Sequence, residues 1–275
     1  EGLDDDATSS ASYAMRRAEV TFEMFEDELW PHMVTKQGNA LRKVTRSTLS
    51  LGKQVNFQCE FAPSVVWTEI ISFIKGSANS LNTEDGSLSR EDYFALSAKI
   101  APACANIPNG RERVYQLFEK YEFLKRNLGL FDAMDVTHHI FKQLNSDGYS
   151  GVTIHGFVID EVQDFTQAQL RLFMMVAKDP NFMFMTGDTC QTIARGVGFR
   201  FEDLRSMFYH LREKDTRIQV PELTKLEVNY RTHNGILRCA GEIVNMIHYF
   251  FPNAVDKLAK DRGHFEGSPP KILSA

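Results

Sequence analysis

Apolar residues recur at helical spacing through the first half of the chain, and helix and strand patterns alternate through the second. "AEVTFEMFEDELWPHM" reads as a short strand, Glu19 to Phe22, running into an amphipathic helix that carries Phe25, Leu29 and Trp30. From Lys36 to Gln58 the pattern weakens into basic, polar loop. "PSVVWTEIISFIKGS" then sets Val66, Ile70, Phe73 and Ile74 on one helical face. "GRERVYQLFEKYEFLKRNLG" does the same with Val114, Leu117, Phe118, Tyr121 and Leu124. Between these two, a Gly/Ser/Asn/Asp loop leads into a helix for which Ser89 and Asp92 form a capping box. Three helices with no strand between Pro63 and Gly129 predict a helical insertion.

A helix from Asp135 to Leu144 and a strand from Val152 to Ile159 restore the alternation. A helix from Gln167 to Ala177, the strand "NFMFMTGD", a helix near Phe201 to Leu211, the strand "KLEVNY" and a long helix from Gly235 to Tyr249 follow. Strands separated by helices of this length predict an α/β fold whose mainly parallel sheet is covered on both faces. Phe173, Met174, Met175, Phe182 and Phe184 then read as core. Ligands of such sheets bind at the carboxyl ends of the strands.

Those ends carry the chemistry. In "GFVIDEVQDFTQAQLRLF" an apolar run drives straight into carboxylates, which raise one another's cost of ionisation unless a cation or ligand offsets it. Asp160, Glu161, Gln163 and Asp164 follow one strand, Gly187, Asp188 and Gln191 the next, and Asn229, Tyr230 and Arg231 the third. The set suits phosphoryl transfer to water. One carboxylate (Asp160) holds Mg²⁺, its neighbour (Glu161) activates the water, a glutamine (Gln191) senses the terminal phosphate and an arginine (Arg231) neutralises developing charge. Tyr230 could stack on a nucleobase.

Composition narrows the setting. With 275 residues, 43% of them hydrophobic, the chain can bury a real core, and no apolar run reaches the roughly 18 residues of a membrane span. The expectation is a soluble intracellular protein, nuclear or cytoplasmic. A net charge of -5 and a pI near 5.9 argue against coating nucleic acid by bulk charge, and leave room for a local basic groove. Cys59, Cys104, Cys190 and Cys239 have no metal-like spacing, so neither disulfide nor zinc is expected. His138 and His139 are adjacent on a helix and point apart, which disfavours a shared metal site. "EGLDDDATSSAS" reads as a disordered lead.

"VIDEVQDFT", "TGDTCQTI" and "LEVNYRTH", in that order, resemble the Walker B, GDxxQ and NYR boxes of UvrD/Rep-type superfamily 1 helicases. "FAPSVVWTEIISFIKGS", "GVGFRFEDLRSMF" and "NGILRCAGEIVNMIHYFFP" are similar to the UvrD-like region of tetratricopeptide and ankyrin repeat-containing proteins and their fungal relatives. The resemblance implies a RecA-like fold. A disordered lead would cover 1–17, the first RecA-like domain 18–62 and 130–222, the helical insertion 63–129, and the start of a second RecA-like domain 223–275. It implies ATP and Mg²⁺ as cofactors and nucleic acid, single-stranded DNA or RNA, as track. Asp160 would ligand Mg²⁺ through water, Glu161 would be the general base, Gln191 and Arg231 would reach the γ-phosphate, Tyr230 would flank the adenine and Asp188 would help join the motor halves, with Gln163 beside the nucleotide.

Two departures bear on this. No GxxxxGK[ST] phosphate loop occurs; "SLGKQ" at Ser50 to Gln54 has Ser47 and Gln54 where Gly and Ser/Thr belong. In the family that loop lies upstream, so the chain reads as the middle of a motor and is expected to be inactive by itself. Ala194 and Arg195 also follow Ile193 where the family has a tyrosine and an aromatic-rich segment for the strand. Asp132 and Asp135 resemble an acidic segment that precedes the Walker B strand, and helix capping explains them equally well. The expected function is the central fragment of an ATP-dependent helicase or translocase. The competing reading is a helicase-derived scaffold or nucleotide-switch interaction module that does not unwind; protein partners would bind through repeat domains outside this chain.

Overall fold

A computed structural model describes residues 19–34, 61–97, 100–101, 104, 107–192, 195–250 and 260–271. The expected disordered lead, the basic loop with its "SLGKQ" stretch, Cys59 and Ala194 lie outside them. The strand expected at Glu19–Phe22 is only a bridge. Glu19 pairs in parallel with Phe131, and Val20 N–H donates to the Phe131 carbonyl at 2.7 Å. Extension stops there because the Thr21 hydroxyl accepts from Met24 N–H at 3.3 Å and starts a helix. That helix, α1, runs through Phe22–Met24, a π-helical turn Phe25–Leu29 and Trp30–Val34.

Helix α2 comprises Pro63–Thr68 and the π-helical Glu69–Ile74, with proline at its first turn, where no N–H is needed. α3 is Arg90–Ala95, α4 Gly110–Leu128 and α5 Ala133–Asp147. Ser89 caps α3 as expected, its hydroxyl accepting from Asp92 N–H at 3.1 Å, while the Asp92 carboxylate bonds that same hydroxyl at 2.8 Å. Gly129 closes α4 at φ 63°, a left-handed conformation glycine adopts without strain. Phe25, Leu29, Val66, Ile70, Ile74, Tyr121 and Leu124 meet in one core. Trp67 lies 4.9 Å from Phe25 and 6.1 Å from Tyr121, ring to ring. Each fully buried side chain of this size contributes about 1.5–3 kcal/mol.

The alternating part is present in the predicted order: β1 Phe157–Ile159, α6 Gln167–Val176, β2 Met183–Met185, α7 Phe201–Lys214, β3 Val228–Asn229 and α8 Asn234–Phe250. An unforeseen β4, Arg262–Gly263, pairs with β3. The strand expected from Val152 shrinks to β1 plus one bridge, Ile154 to Ala177.

The sheet itself departs from expectation. Among the described residues the strands form two parallel pairs, β1–β2 and β3–β4, rather than one sheet. Among the described residues, β1–β2 is covered on a single face. Successive strand residues point to opposite sides, so Phe157, Ile159, Met183 and Met185 pack with Leu170, Met174, Leu204 and Phe208 of the helices. Val158 and Phe184 point the other way and are 82% and 63% exposed. Phe182 is exposed as well, so Phe182 and Phe184 are not core, whereas Met174 is buried and Phe173 and Met175 are half-buried. No helix among the described residues is long and apolar enough to cross a membrane.

Candidate active site

Two short strands end side by side and fix the loops that follow. Thr186 N–H donates to the Ile159 carbonyl, and Val162 N–H returns a bond to the Thr186 carbonyl, both at 2.9 Å. Between these bonds the chain turns sharply at Glu161, whose φ of 53° is unusual for a residue with a Cβ. The turn exposes both carboxylates at the strand end. Asp160 Oδ1 accepts from Glu161 N–H at 3.0 Å and from the Thr186 hydroxyl. Its Oδ2 has no partner among the described residues.

Gln163 is the buried centre, 1% exposed. Its amide nitrogen donates to Glu161 Oε2 at 2.6 Å, and its amide oxygen accepts from Asp188 N–H at 3.0 Å. Asp188 in turn caps a short 3₁₀ turn, Thr189–Gln191, accepting from Cys190 N–H at 2.9 Å and from Gln191 Nε2 at 2.8 Å. One hydrogen-bonded line therefore runs Glu161–Gln163–Asp188–Gln191 across both strand ends. Gly187 is required for it: a Cβ there would stand 2.4 Å from Gln163 Oε1 and 2.9 Å from Val162 Cγ1.

The third predicted contribution lies apart. Tyr230 and Arg231 follow β3 in the other strand pair. Tyr230 is 75% exposed, its ring 5.4 Å from that of His264. Asn229 Oδ1 accepts from Arg231 N–H at 2.8 Å and Thr232 N–H at 2.9 Å, so the asparagine shapes the turn while the arginine side chain stays exposed. The described residues record no contact between Arg231 and the Asp160 cluster. One electrostatic link joins the two parts. The Asp261 carboxyl, just before β4, is pushed up by burial and by the Asp188 charge.

Two features escaped the sequence. Thr186 holds Asp160, a role that only the pairing of β1 with β2 creates. The larger is a buried ionic cluster. Lys75 Nζ meets Asp132 Oδ2 and Asp135 Oδ1 at 2.6 Å and Glu122 Oε1 at 3.0 Å, and Lys125 Nζ lies within 2.7 Å of the same three carboxylates. The acidic oxygens of Glu122, Asp132 and Asp135 lie within 4.8 Å of one another, a spacing that could hold a metal; here the two ammonium groups fill that place. Burial alone would raise the Asp132 carboxyl, but Lys75 and Lys125 override it and hold it far below the usual range. Burial would likewise lower Lys75, and Asp132, Glu122 and Asp135 instead hold it above the usual lysine value. Asp132 and Asp135 also form the capping box of α5.

The UvrD/REP helicase N-terminal domain matches residues 26–203, the stretch that contains both strand ends and the ionic cluster. The chain belongs to this family. The family implies a RecA-like helicase fold, and the strands seen among the described residues are short and parallel. Over 264 residues the chain is 38% identical to the human TPR and ankyrin repeat-containing protein 1, covering 94% of this chain and 8% of that protein. A more distant likeness, 24% over 143 residues, is to an ATP-dependent helicase/nuclease subunit from Natranaerobius thermophilus, covering 50% of this chain and 11% of that relative. The chain thus spans a small part of each relative.

Proposed function

We propose that the chain forms the metal-and-water side of an ATP-hydrolysing motor that works on nucleic acid, within a longer protein. The observation that supports this is the line Glu161–Gln163–Asp188–Gln191, which ties a carboxylate beside Asp160 to a glutamine on the next strand end. The donor set fits Mg²⁺: Asp160 keeps one carboxylate oxygen free of partners among the described residues at an exposed strand end, as oxygen ligation of a hard cation requires. Bound Mg²⁺ and ATP would supply a polarised phosphoryl group there. Asp160 would hold the ion through water, Glu161 would take the proton of the attacking water, and Gln163 would set the Glu161 carboxylate. Gln191 and Arg231 would reach the terminal phosphate, and Tyr230 would flank the base. Asp188 would help join the two motor halves.

The 275 residues contain no GxxxxGK[ST], so we assign little or no ATP turnover to this chain alone and place hydrolysis in the complete parent. Replacing Glu161 by Gln in that parent removes the base and keeps the hydrogen bond from Gln163. Turnover should fall by the roughly 10²–10⁴-fold that general bases contribute, with nucleotide binding retained. Unchanged turnover refutes the assignment.

A scaffold without unwinding is the second reading. It is favoured by the loop after the 3₁₀ turn, which lies flat on α2: Ser72 donates to the Gly196 carbonyl, Gly198 N–H donates to Ser72 Oγ at 2.7 Å, and Trp67 Nε1 donates to the Arg195 carbonyl at 3.2 Å. The loop presents Arg195, not an aromatic ring, to solvent. A parent that binds ATP and shows no turnover, with or without single-stranded DNA or RNA, would establish that reading.

A further inference from the structure

A second cavity opens away from the strand ends. It measures 510 Å³ and lies between the 77–82 loop, α5, α6 and α7, and none of Asp160, Glu161, Gln163, Asp188 and Gln191 lines it. Ligand sites typically enclose about 300–1,000 Å³. Its apolar wall is Phe73, Phe141 and Met207.

On the opposite side stands Arg171 of α6. It is half-buried, and its guanidinium makes no hydrogen bond or ion pair with any described residue. Desolvation draws its pKa below the usual arginine value. Two acids, Glu213 and Asp203, line the cleft as well, and neither pairs with Arg171 among the described residues. Glu213 pairs with His210 at 3.3 Å, and Asp203 has an interaction of its own. A half-buried cation without a counter-charge is costly, and a protein normally pairs it. Two further donors line the cleft beside these acids. Gln167 spends its side-chain oxygen on Ala78 N–H at 3.3 Å, which leaves its amide nitrogen without a partner among the described residues, and Lys214, likewise unpaired among them, stands at the rim. Beside the cleft, Ala168 N–H donates to the Gly76 carbonyl at 2.8 Å, and a Cβ on Gly76 would collide with the Ile71 carbonyl at 2.1 Å.

We propose that this cleft binds a small organic anion, a carboxylate or phosphate monoester, whose charge pairs with Arg171 and whose apolar body lies on Phe73, Phe141 and Met207. The ligand would bridge the helical segment and α6–α7. The site is independent of the nucleotide reading.

The test titrates the 275-residue chain with phenyl phosphate, with benzoate and with neutral benzyl alcohol. Binding is read from ligand saturation-transfer NMR and from the Arg171 side-chain N–H resonance, assigned by its loss in Arg171→Lys. Saturable binding of either anion that shifts this resonance, weakens at least tenfold in Arg171→Gln and is absent for benzyl alcohol supports the site. Phenyl phosphate alone, benzoate alone or both identifies the charged group. Equal binding of benzyl alcohol, undiminished binding by Arg171→Gln, an unmoved Arg171 resonance, or no saturation by about 10 mM of either anion, far weaker than sites of this size normally bind, overturns it. Because the resonance is read in the unmodified chain, the result stands even if Arg171→Gln fails to fold.

Discussion

Replacing Asp132 by asparagine probes the ionic cluster with almost no change of volume. The native carboxylate is fully buried and accepts five hydrogen bonds. Oδ2 takes Lys75 Nζ at 2.6 Å, Lys125 Nζ at 2.7 Å and the Tyr121 hydroxyl at 2.9 Å; Oδ1 takes Met134 N–H at 2.9 Å and Asp135 N–H at 3.0 Å. An amide has one oxygen, so whichever way the new side chain turned, its NH₂ would face a set of donors. Breaking a buried pair by removing one partner costs about 3–5 kcal/mol, and a lost N-cap alone about 1. Since domains are stable by only about 5–15 kcal/mol, the variant should lose a fifth or more of its stability.

Trp30 and Trp67, the only tryptophans in the chain, are both buried in the core beside the cluster, so tryptophan fluorescence during urea unfolding reports it. A midpoint shift worth under about 1 kcal/mol at unchanged slope would refute the reasoning. The pH dependence is a second check. Because the folded carboxyl lies below its unfolded value of about 3.9, its stabilisation is present above that pH and drains away as pH falls toward the folded value. Asp132→Asn should flatten acid unfolding below about pH 5. Lys75 acts oppositely: with its folded value raised, its stabilisation is intact below about pH 10.4 and lost only above it.

Gly187→Ala should break the line at Gln163, since the added methyl meets Gln163 Oε1 and Val162 Cγ1; the cost expected from overpacking is about 1–3 kcal/mol by thermal unfolding, and an undisturbed midpoint contradicts the geometry. Glu69 is buried with its Oε2 accepting from the Tyr93 hydroxyl at 2.8 Å, and burial raises its carboxyl despite the pull of Tyr93, Arg111 and Cys104. A raised carboxyl stabilises below its unfolded value near 4.3 and loses that as pH rises, so Glu69→Gln should gain on the parent chain as pH rises above about 4.3; a constant difference in unfolding midpoint refutes this.

Helices were legible because their signals are local. The faces of α2 and α4, the Ser89 cap and the span of α6 follow from residues three or four apart, and the strand ends were legible because carboxylates after an apolar run are rare without a reason. What failed was long-range. Val158 and Phe184 belong to apolar runs that read alike whether one or both faces are covered. Lys75 meets Asp132 across 57 positions, and Gln163 becomes buried only when the turn of the second strand closes over it. Nothing in either local pattern encodes those meetings.

The contacts also argue against treating the helical segment as an appendage to the site. α6, which begins at the Thr166 cap directly after the carboxylates, is fastened to that segment twice, by Ala168 N–H to the Gly76 carbonyl and by Ala78 N–H to the Gln167 side-chain oxygen, and to α5 by the Thr166 hydroxyl, 3.4 Å from Met134 Sδ. The loop after Gln191 is fastened to the same α2 by Trp67 and Ser72. The strand-end loops therefore rest on α2 and on the turn that follows it, and the last residue of its π-helical turn leads into Lys75, the residue that anchors the ionic cluster to α4 and α5. Movement of a carboxylate loop relative to Gln191 would have to slide against α2 or carry it along. The pairing of buried charge behind α2 favours carrying it, because separating Lys75 from Asp132 exposes unpaired ions to the interior, whereas shifting α2, α4 and α5 together keeps every pair intact.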